Sequence, residues 1–141
     1  DTRLHGGRAP LRIAYDRAGN LPPTHHLLDD TIETWIFGPQ RPGDWQRTHF
    51  QSLENRLEIP DLLQQLAEAR KSSLLVEGGA LVLQQFLDAG AWDEIRVITG
   101  PGALRNGVVA PRVPAGARRL EGFGAGEDWV EVFHSNRPKY A

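Results

Sequence analysis

The sequence contains no cysteine and no methionine among its 141 residues. The absence of cysteine excludes disulfide bonds and thiolate chemistry, and it is compatible with the reducing cytoplasm in which we expect the protein. Because the chain has no methionine and begins at Asp1, we expect that it is not an intact translation product. It also has no apolar run near the length of a membrane span and no visible signal peptide, so we expect no membrane partner.

An excess of charge of one sign is also missing. The formal net charge is −2, which argues against a nucleic-acid partner but leaves room for a local basic pocket around one phosphorylated ligand. The hydrophobic content of 40% and the charged content of 24% are ordinary for a globular protein. The length fits one domain.

The most informative stretch is an apolar run, Leu74–Val76, that stops at Glu77 and the pair Gly78-Gly79. The run is short enough for a buried strand, and the apolar residues after the glycines have a helical period. A strand that turns through Gly-Gly into a helix leaves backbone N–H groups free at the positive end of the helix dipole. We therefore predict a phosphate or nucleotide at Gly78-Gly79, with Glu77 facing the same cleft. The alternative is a tight turn without a ligand, since the G-x-G-x-x-G spacing is absent.

The remaining patterns predict an α/β protein. Strand patterns cover residues 11–15, 32–37, 73–76, 94–99, 118–123 and 129–133, with a weaker one at 47–51. Helix patterns cover a segment from Pro60, with Arg70 and Lys71 in its last turn, and residues 79–89, followed by Gly90 as the C′ residue. Strands and helices alternate in the middle of the chain, which favours parallel neighbours. The last two strands have no helix between them and predict an antiparallel hairpin.

Histidine and serine patterns do not indicate a metal site or a nucleophile. His25 and His26 are adjacent, so they point to opposite sides of an extended segment, and no third ligand has a helpful spacing. Ser72-Ser73 lacks a G-x-S-x-G frame. We predict no metal ligands, and we expect the acidic pair Asp29-Asp30 to face solvent or to cap an element.

Several blocks of the sequence, in order and at plausible spacing, resemble the C-terminal reductase domain of the bifunctional riboflavin-biosynthesis deaminase/reductase enzymes. The blocks fall within residues 9–99, and the match is weaker beyond Gly100. They are Pro10–Ile13, Asp16-Arg17, Leu21-Pro22, Leu74–Ala80, Phe86–Gly90 and Trp92–Val97.

This resemblance implies a dihydrofolate-reductase-like fold, with a mixed sheet and flanking helices, and NADPH as the cofactor. The implied reaction reduces the ribosyl side chain of a phosphorylated pyrimidine, 5-amino-6-(5-phosphoribosylamino)uracil, to the ribitylamino product. Hydride would pass from nicotinamide C4 to C1′ of the ring-opened sugar. Two alternatives stay open. One is a pterin or folate reductase on the same fold, which would need a pterin-binding acid outside this chain. The other is a non-catalytic nucleotide-binding or assembly domain.

The resemblance also implies which residues meet the substrate. Glu77 aligns with a glutamate that contacts the substrate, and it is the predicted catalytic residue. A carboxylate there could relay a proton or hold the polar edge of the substrate; the alternative is that Glu77 only orders the Gly-Gly turn. Arg3 resembles a second substrate-binding residue.

The implied cofactor site combines two segments. The segment from Gly79 onward aligns with the part of the family that wraps the NADPH phosphates. Asp16-Arg17 ends a strand on the cofactor side, and the Arg17 guanidinium suits the adenosine 2′-phosphate, although a solvated turn arginine is the alternative. The predicted cofactor-binding residues are Asp16, Arg17, Gly78, Gly79, Ala80, Leu81, Val82 and Leu83.

The chain departs from the family at its N-terminus. Family members open the reductase domain with a strand that carries a lysine, a helix and a further strand, and none of these is recognisable here. We therefore expect residues 1–141 to be the C-terminal fragment of a longer enzyme that also carries an N-terminal deaminase domain. An exposed sheet edge favours association, and we expect a homodimer.

Overall fold

The computed structural model describes residue 7 and residues 9–52, 58–103 and 105–136. The chain divides into two compact units, Asp1–Leu62 and Leu63–Ala141. Among the described residues, no helix has both the length and the apolar character needed to span a membrane.

The first unit contains a three-stranded parallel sheet in the order β1-β2-β3. The strands are β1 (Arg12–Tyr15), β2 (Thr34–Phe37) and β3 (Thr48–Gln51). The central strand reads Thr-Trp-Ile-Phe, a β-branched and aromatic composition that suits a buried strand. Ile36 and Phe37 are each only 1% exposed. The sheet therefore confirms the three strands predicted in this half of the chain.

The link from β1 to β2 contains only a short 3₁₀ turn, His26–Leu28. Two carboxylates and one arginine hold the part of this link that precedes β2. Arg12 donates to Asp29 at 3.0 Å, and Asp30 accepts from two backbone N–H groups that precede β3. Asp29 and Asp30 therefore organise the loops at the amino ends of the strands.

The next element, α1 (Ile59–Glu68), buries one amphipathic face. Ile59, Leu62 and Leu66 are 3–5% exposed. The prediction that Arg70 lies in the last helical turn was wrong. Arg70 adopts φ 55° just beyond the helix, and the Lys71 N–H donates to the Leu66 carbonyl at 2.8 Å. These features are a Schellman cap, in which a left-handed residue satisfies the last carbonyls.

The predicted strand over 73–76 was also wrong. These residues have no regular secondary structure, and neither sheet of the described residues includes them. A strand exists only when a neighbour accepts and donates its backbone hydrogen bonds. The Leu75 side chain is 80% exposed, so its apolar character is not used in a core here.

The second unit contains α2 (Ala80–Asp88) and an antiparallel sheet in the order β4-β6-β5. The strands are β4 (Glu94–Thr99), β5 (Arg118–Ala125) and β6 (Asp128–His134). The β5–β6 hairpin confirms the prediction. The parallel pairing predicted for the middle of the chain was wrong for β4, which pairs antiparallel with β6. Val130 and Val132 of the central strand, together with Phe86 of α2, are 4–6% exposed and form the core positions of this unit.

Candidate active site

The Gly-Gly turn feeds directly into α2, as predicted. Gly79 is the N-cap residue with φ 58° and ψ 121°, and the first bond of the helix runs from the Leu83 N–H to the Gly79 carbonyl at 3.1 Å. The N–H groups of Ala80, Leu81 and Val82 therefore have no acceptor within the helix. No side chain caps this end and no acidic residue lies in the first turn. The helix start offers several backbone donors to a ligand.

The space in front of these donors is open. A Cβ built on Gly78 or on Gly79 would have no heavy atom within 4 Å. The nine-residue helix α2 also presents the positive end of its dipole, equivalent to roughly half an elementary charge. Phe86, 5% exposed, anchors the second turn. An anion could approach the backbone here without displacing a side chain.

Glu77 lies immediately before this turn. Its side chain is exposed, and it makes no hydrogen bond or ion pair with any residue that the structure describes. Within the described part of the chain, its carboxylate can therefore accept hydrogen bonds from a bound molecule. Leu81, which is 83% exposed, adds an apolar surface in the first turn of the helix.

In the first unit, Asp16 closes the carboxyl end of β1. Its carboxylate accepts from the Asn20 N–H at 2.8 Å and the Leu21 N–H at 3.1 Å. It also accepts from Arg41 Nη2 at 2.9 Å. The side chain is only 10% exposed, so Asp16 organises the turn that follows β1. The bond from the Gly19 N–H to the Asp16 carbonyl at 3.1 Å closes this turn.

Arg17 is at the tip of that turn. It is exposed and makes no ion pair or hydrogen bond within the described ranges. A guanidinium carries five N–H donors, and beside a fixed turn it is suited to a phosphate. The general rule that ligands of open parallel sheets bind beyond the carboxyl ends of the strands also favours this edge.

Sequence reasoning missed Arg41. This residue is 17% exposed and pairs with Asp16, and its two terminal nitrogens donate to the Leu21 carbonyl at 2.6 Å and the Gly19 carbonyl at 2.8 Å. It is in a loop punctuated by Pro39 and Pro42. No spacing rule links an arginine in such a loop to a carboxylate 25 positions earlier, so only the tertiary structure reveals the pair.

The predicted site residues fall into three groups. Asp16 and Arg17 belong to the first unit, and residues 77–83 belong to the second. Arg3 lies outside the described residues. The structure brings residues 77–83 together in one turn and the residues Asp16 and Arg17 in another, and their assignment to one site stays a prediction.

Other carboxylates have perturbed pKa values for structural reasons. The hydrogen bond from Arg12 holds the pKa of Asp29 well below its usual range, with further contributions from Thr31. The backbone N–H of Gln46 is the largest cause of the lowered pKa of Asp30. On β4, the Arg96 guanidinium and then the His134 ring lower the pKa of Glu94. These groups stabilise loops and strand pairs.

A family model for the RibD C-terminal domain matches residues 1–114. The chain belongs to this family. The matched range includes both predicted site segments, the turn after β1 and the Gly-Gly turn before α2. It ends before β5, in line with the weaker resemblance beyond residue 100.

Two relatives carry the name riboflavin biosynthesis protein RibD. The protein from Bacillus amyloliquefaciens is 32% identical over 130 residues, which cover 86% of this chain and 34% of the relative. The protein from Escherichia coli K12 is 29% identical over 102 residues, which cover 69% of this chain and 28% of the relative. The chain thus spans about a third of the length of these relatives.

Solved structures share the fold of this RibD C-terminal domain. Acinetobacter baumannii RibD superposes with a TM-score of 0.70 at 22% identity, covering 87% of this chain and 37% of the other. A diaminohydroxyphosphoribosylaminopyrimidine deaminase/5-amino-6-(5-phosphoribosylamino)uracil reductase from Thermotoga maritima gives a TM-score of 0.72 at 20% identity, covering 94% and 40%. The dihydrofolate-reductase-like fold class predicted from the sequence is confirmed.

Proposed function

We propose that this chain is an NADPH-dependent reductase domain of riboflavin biosynthesis. Its substrate is 5-amino-6-(5-phosphoribosylamino)uracil, and its product carries a ribitylamino side chain. The observation that carries the proposal is the RibD C-terminal domain match over residues 1–114. It is supported by the name of the Bacillus amyloliquefaciens relative and by the reductase named in the Thermotoga maritima structure.

The residues present fit a dinucleotide phosphate. The free N–H groups at the start of α2 offer donors to the phosphate oxygens, and the two glycines leave room for the oxygens to reach the backbone. Arg17, exposed and unpaired among the described residues, would bind the adenosine 2′-phosphate. Because NADH lacks the 2′-phosphate, this contact with Arg17 would favour NADPH over NADH.

The chain's own residues hold and orient the reactants. When bound, NADPH supplies the hydride that adds to C1′ of the ring-opened ribose. The start of α2 fixes the phosphates and so fixes where the nicotinamide end can lie. The free carboxylate of Glu77 accepts hydrogen bonds from the polar edge of the substrate or relays a proton to it.

The relatives are about three times as long as the matched region. We infer that this chain works as part of a longer protein that also contains an N-terminal deaminase domain, in a cytoplasmic homodimer. The phosphorylated pyrimidine produced by a deaminase would then be reduced by the domain that contains Glu77 and Gly79.

The decisive assay follows NADPH absorbance with the full-length protein, supplied in parallel with the uracil substrate or with dihydrofolate. Oxidation with the uracil substrate alone would support the proposal. Oxidation with dihydrofolate alone would instead identify a folate-type reductase. Binding of NADPH without oxidation in either reaction would identify a non-catalytic nucleotide-binding domain.

The phosphate contact is tested by comparing Gly79→Asp with Gly79→Asn. The two side chains have nearly the same size and meet the same backbone strain, so they differ mainly in charge. A carboxylate about 4 Å from a phosphate costs between about 1 and 4 kcal/mol, depending on the local dielectric. We expect Gly79→Asp to bind NADPH at least about fivefold more weakly than Gly79→Asn. Equal affinities would exclude a phosphate at this turn.

A further inference from the structure

We propose that Arg41 and Asp16 are a positioning pair that holds Arg17 in place for the adenosine 2′-phosphate. Neither Arg41 nor Asp16 would touch the cofactor in this arrangement. The inference rests on the proposed use of NADPH, and it concerns how this chain distinguishes NADPH from NADH.

The turn that carries Arg17 is held by hydrogen bonds just beyond its tip. The Gly19 N–H donates to the Asp16 carbonyl at 3.1 Å, which closes the turn. Beyond the tip, the Asp16 carboxylate accepts the N–H groups of Asn20 and Leu21. These bonds use three backbone donors of the turn, and they leave the carbonyls of Gly19 and Leu21 to be satisfied from elsewhere.

Arg41 satisfies those carbonyls. Its guanidinium donates to the carbonyls of Gly19 and Leu21 and to the Asp16 carboxylate. A single planar group therefore holds the turn from the other side. Because Arg41 is 17% exposed and Asp16 is 10% exposed, these bonds lie in a region where water competes poorly.

The loop that supplies Arg41 is packed against the turn. A Cβ at Gly38 would overlap the backbone carbonyl of Asp16, and a Cβ at Gly19 would come within 3.3 Å of the Pro39 ring. The Asp16 N–H also donates to the Phe37 carbonyl at the end of β2. The turn and the loop thus form one interlocked structure at the carboxyl ends of β1 and β2.

This arrangement explains why the two arginines differ. Arg41 donates to internal acceptors, whereas Arg17 is exposed and makes no hydrogen bond or ion pair with the described residues. Arg17 is within a turn that has little freedom to move, so less entropy is lost when it binds a phosphate. Loosening the turn should weaken that contact and leave the rest of the cofactor site unchanged.

The test measures the affinities of NADPH and NADH for the same protein variants by fluorescence titration. NADH lacks the 2′-phosphate, so general damage to the fold weakens both ligands, whereas loss of positioning weakens only NADPH. We expect Arg41→Ala to lower the preference for NADPH about tenfold. Arg41→Lys should lower it as well, because an ammonium cannot reproduce the planar set of bonds.

Arg12→Ala is the matched control. Arg12 is also largely buried, at 20% exposure, and pairs with Asp29 at the opposite end of β1. Its removal should reduce stability without changing the preference for NADPH over NADH.

A double-variant cycle with Arg17 separates positioning from direct contact. If Arg41 acts only through Arg17, then Arg41→Ala should have no further effect on the preference once Arg17→Ala is present. An unchanged preference in Arg41→Ala, or equal additional losses in both backgrounds, would overturn the inference. Failure of the unaltered protein to bind NADPH would overturn the proposed function itself, so the two failures are distinguishable.

Discussion

Alanine at Gly79 should destabilise the protein, whereas alanine at the neighbouring Gly78 should not. Gly79 has φ 58° and ψ 121°, a combination that L-residues rarely adopt. Backbone strain of this kind costs on the order of 1–3 kcal/mol. Gly78 has no left-handed φ, and a Cβ at either position would meet no heavy atom within 4 Å. Packing is therefore equal at the two positions, and only the backbone conformation differs.

Two opposing effects determine how much each alanine changes the free energy of unfolding. Replacing glycine by alanine restricts the unfolded chain and stabilises the folded state by about 0.4–1 kcal/mol where the native conformation is compatible. Gly78→Ala should therefore be neutral or slightly stabilising. Gly79→Ala should lower the free energy of unfolding by roughly 1–2 kcal/mol, because its backbone strain outweighs the stabilisation from the restricted unfolded chain.

Urea unfolding followed by tryptophan fluorescence measures both variants. The sequence contains four tryptophans as probes. A lower midpoint for Gly79→Ala with an unchanged slope would report a loss of stability and no change in the surface exposed on unfolding. Equal midpoints for the two variants would refute the claim that helix α2 begins with a glycine-dependent backbone conformation.

Three further changes test other parts of the structure. Arg70→Gly should raise the free energy of unfolding by about 1 kcal/mol in urea titrations, since it relieves a left-handed φ of 55°; no gain would contradict the helix cap. Gly122→Ala should lower the free energy of unfolding by about 1 kcal/mol, because its Cβ would lie 2.9 Å from the Trp129 ring. Gly124→Ala is the control, since a Cβ there would meet open space. Equal thermal midpoints for the two variants would contradict this packing. The Asp29 pKa is lowered in the folded state. Ionised Asp29 therefore stabilises the folded state above about pH 4, and this stabilisation is lost as the pH falls. In Asp29→Asn, the free energy of unfolding should therefore fall less steeply as the pH is lowered below about 4. The same pH dependence in the variant and the unaltered protein would count against the ion pair between Asp29 and Arg12.

Local signals in the sequence were sufficient for several features. Gly79 and Gly90 mark the two ends of helix α2, and both have a left-handed φ, 58° and 59°. The hairpin of β5 and β6 follows from two strand patterns with no helix between them. These signals work because turns and helix ends depend on the conformational freedom of a few consecutive residues.

Patterns that need a distant partner were less informative. The apolar run over 73–76 has the composition of a strand, yet no described strand pairs with it. Arg70 has the charge expected of a last helical turn, but it adopts the left-handed conformation of the cap instead. In both cases the residue types are compatible with the prediction, and the hydrogen-bond partners of the backbone decide the outcome.

By itself, the sequence determined the family of this chain, the Gly-Gly entry to α2 and the presence of Glu77 beside it. Only the tertiary structure revealed that Asp16 has internal partners and that Arg41 satisfies the carbonyls of the turn after β1. The physical reason is the separation along the chain. A glycine N-cap depends on neighbours within a few residues, whereas the bonds between Asp16 and Arg41 exist only because parallel strands bring their carboxyl ends to one edge.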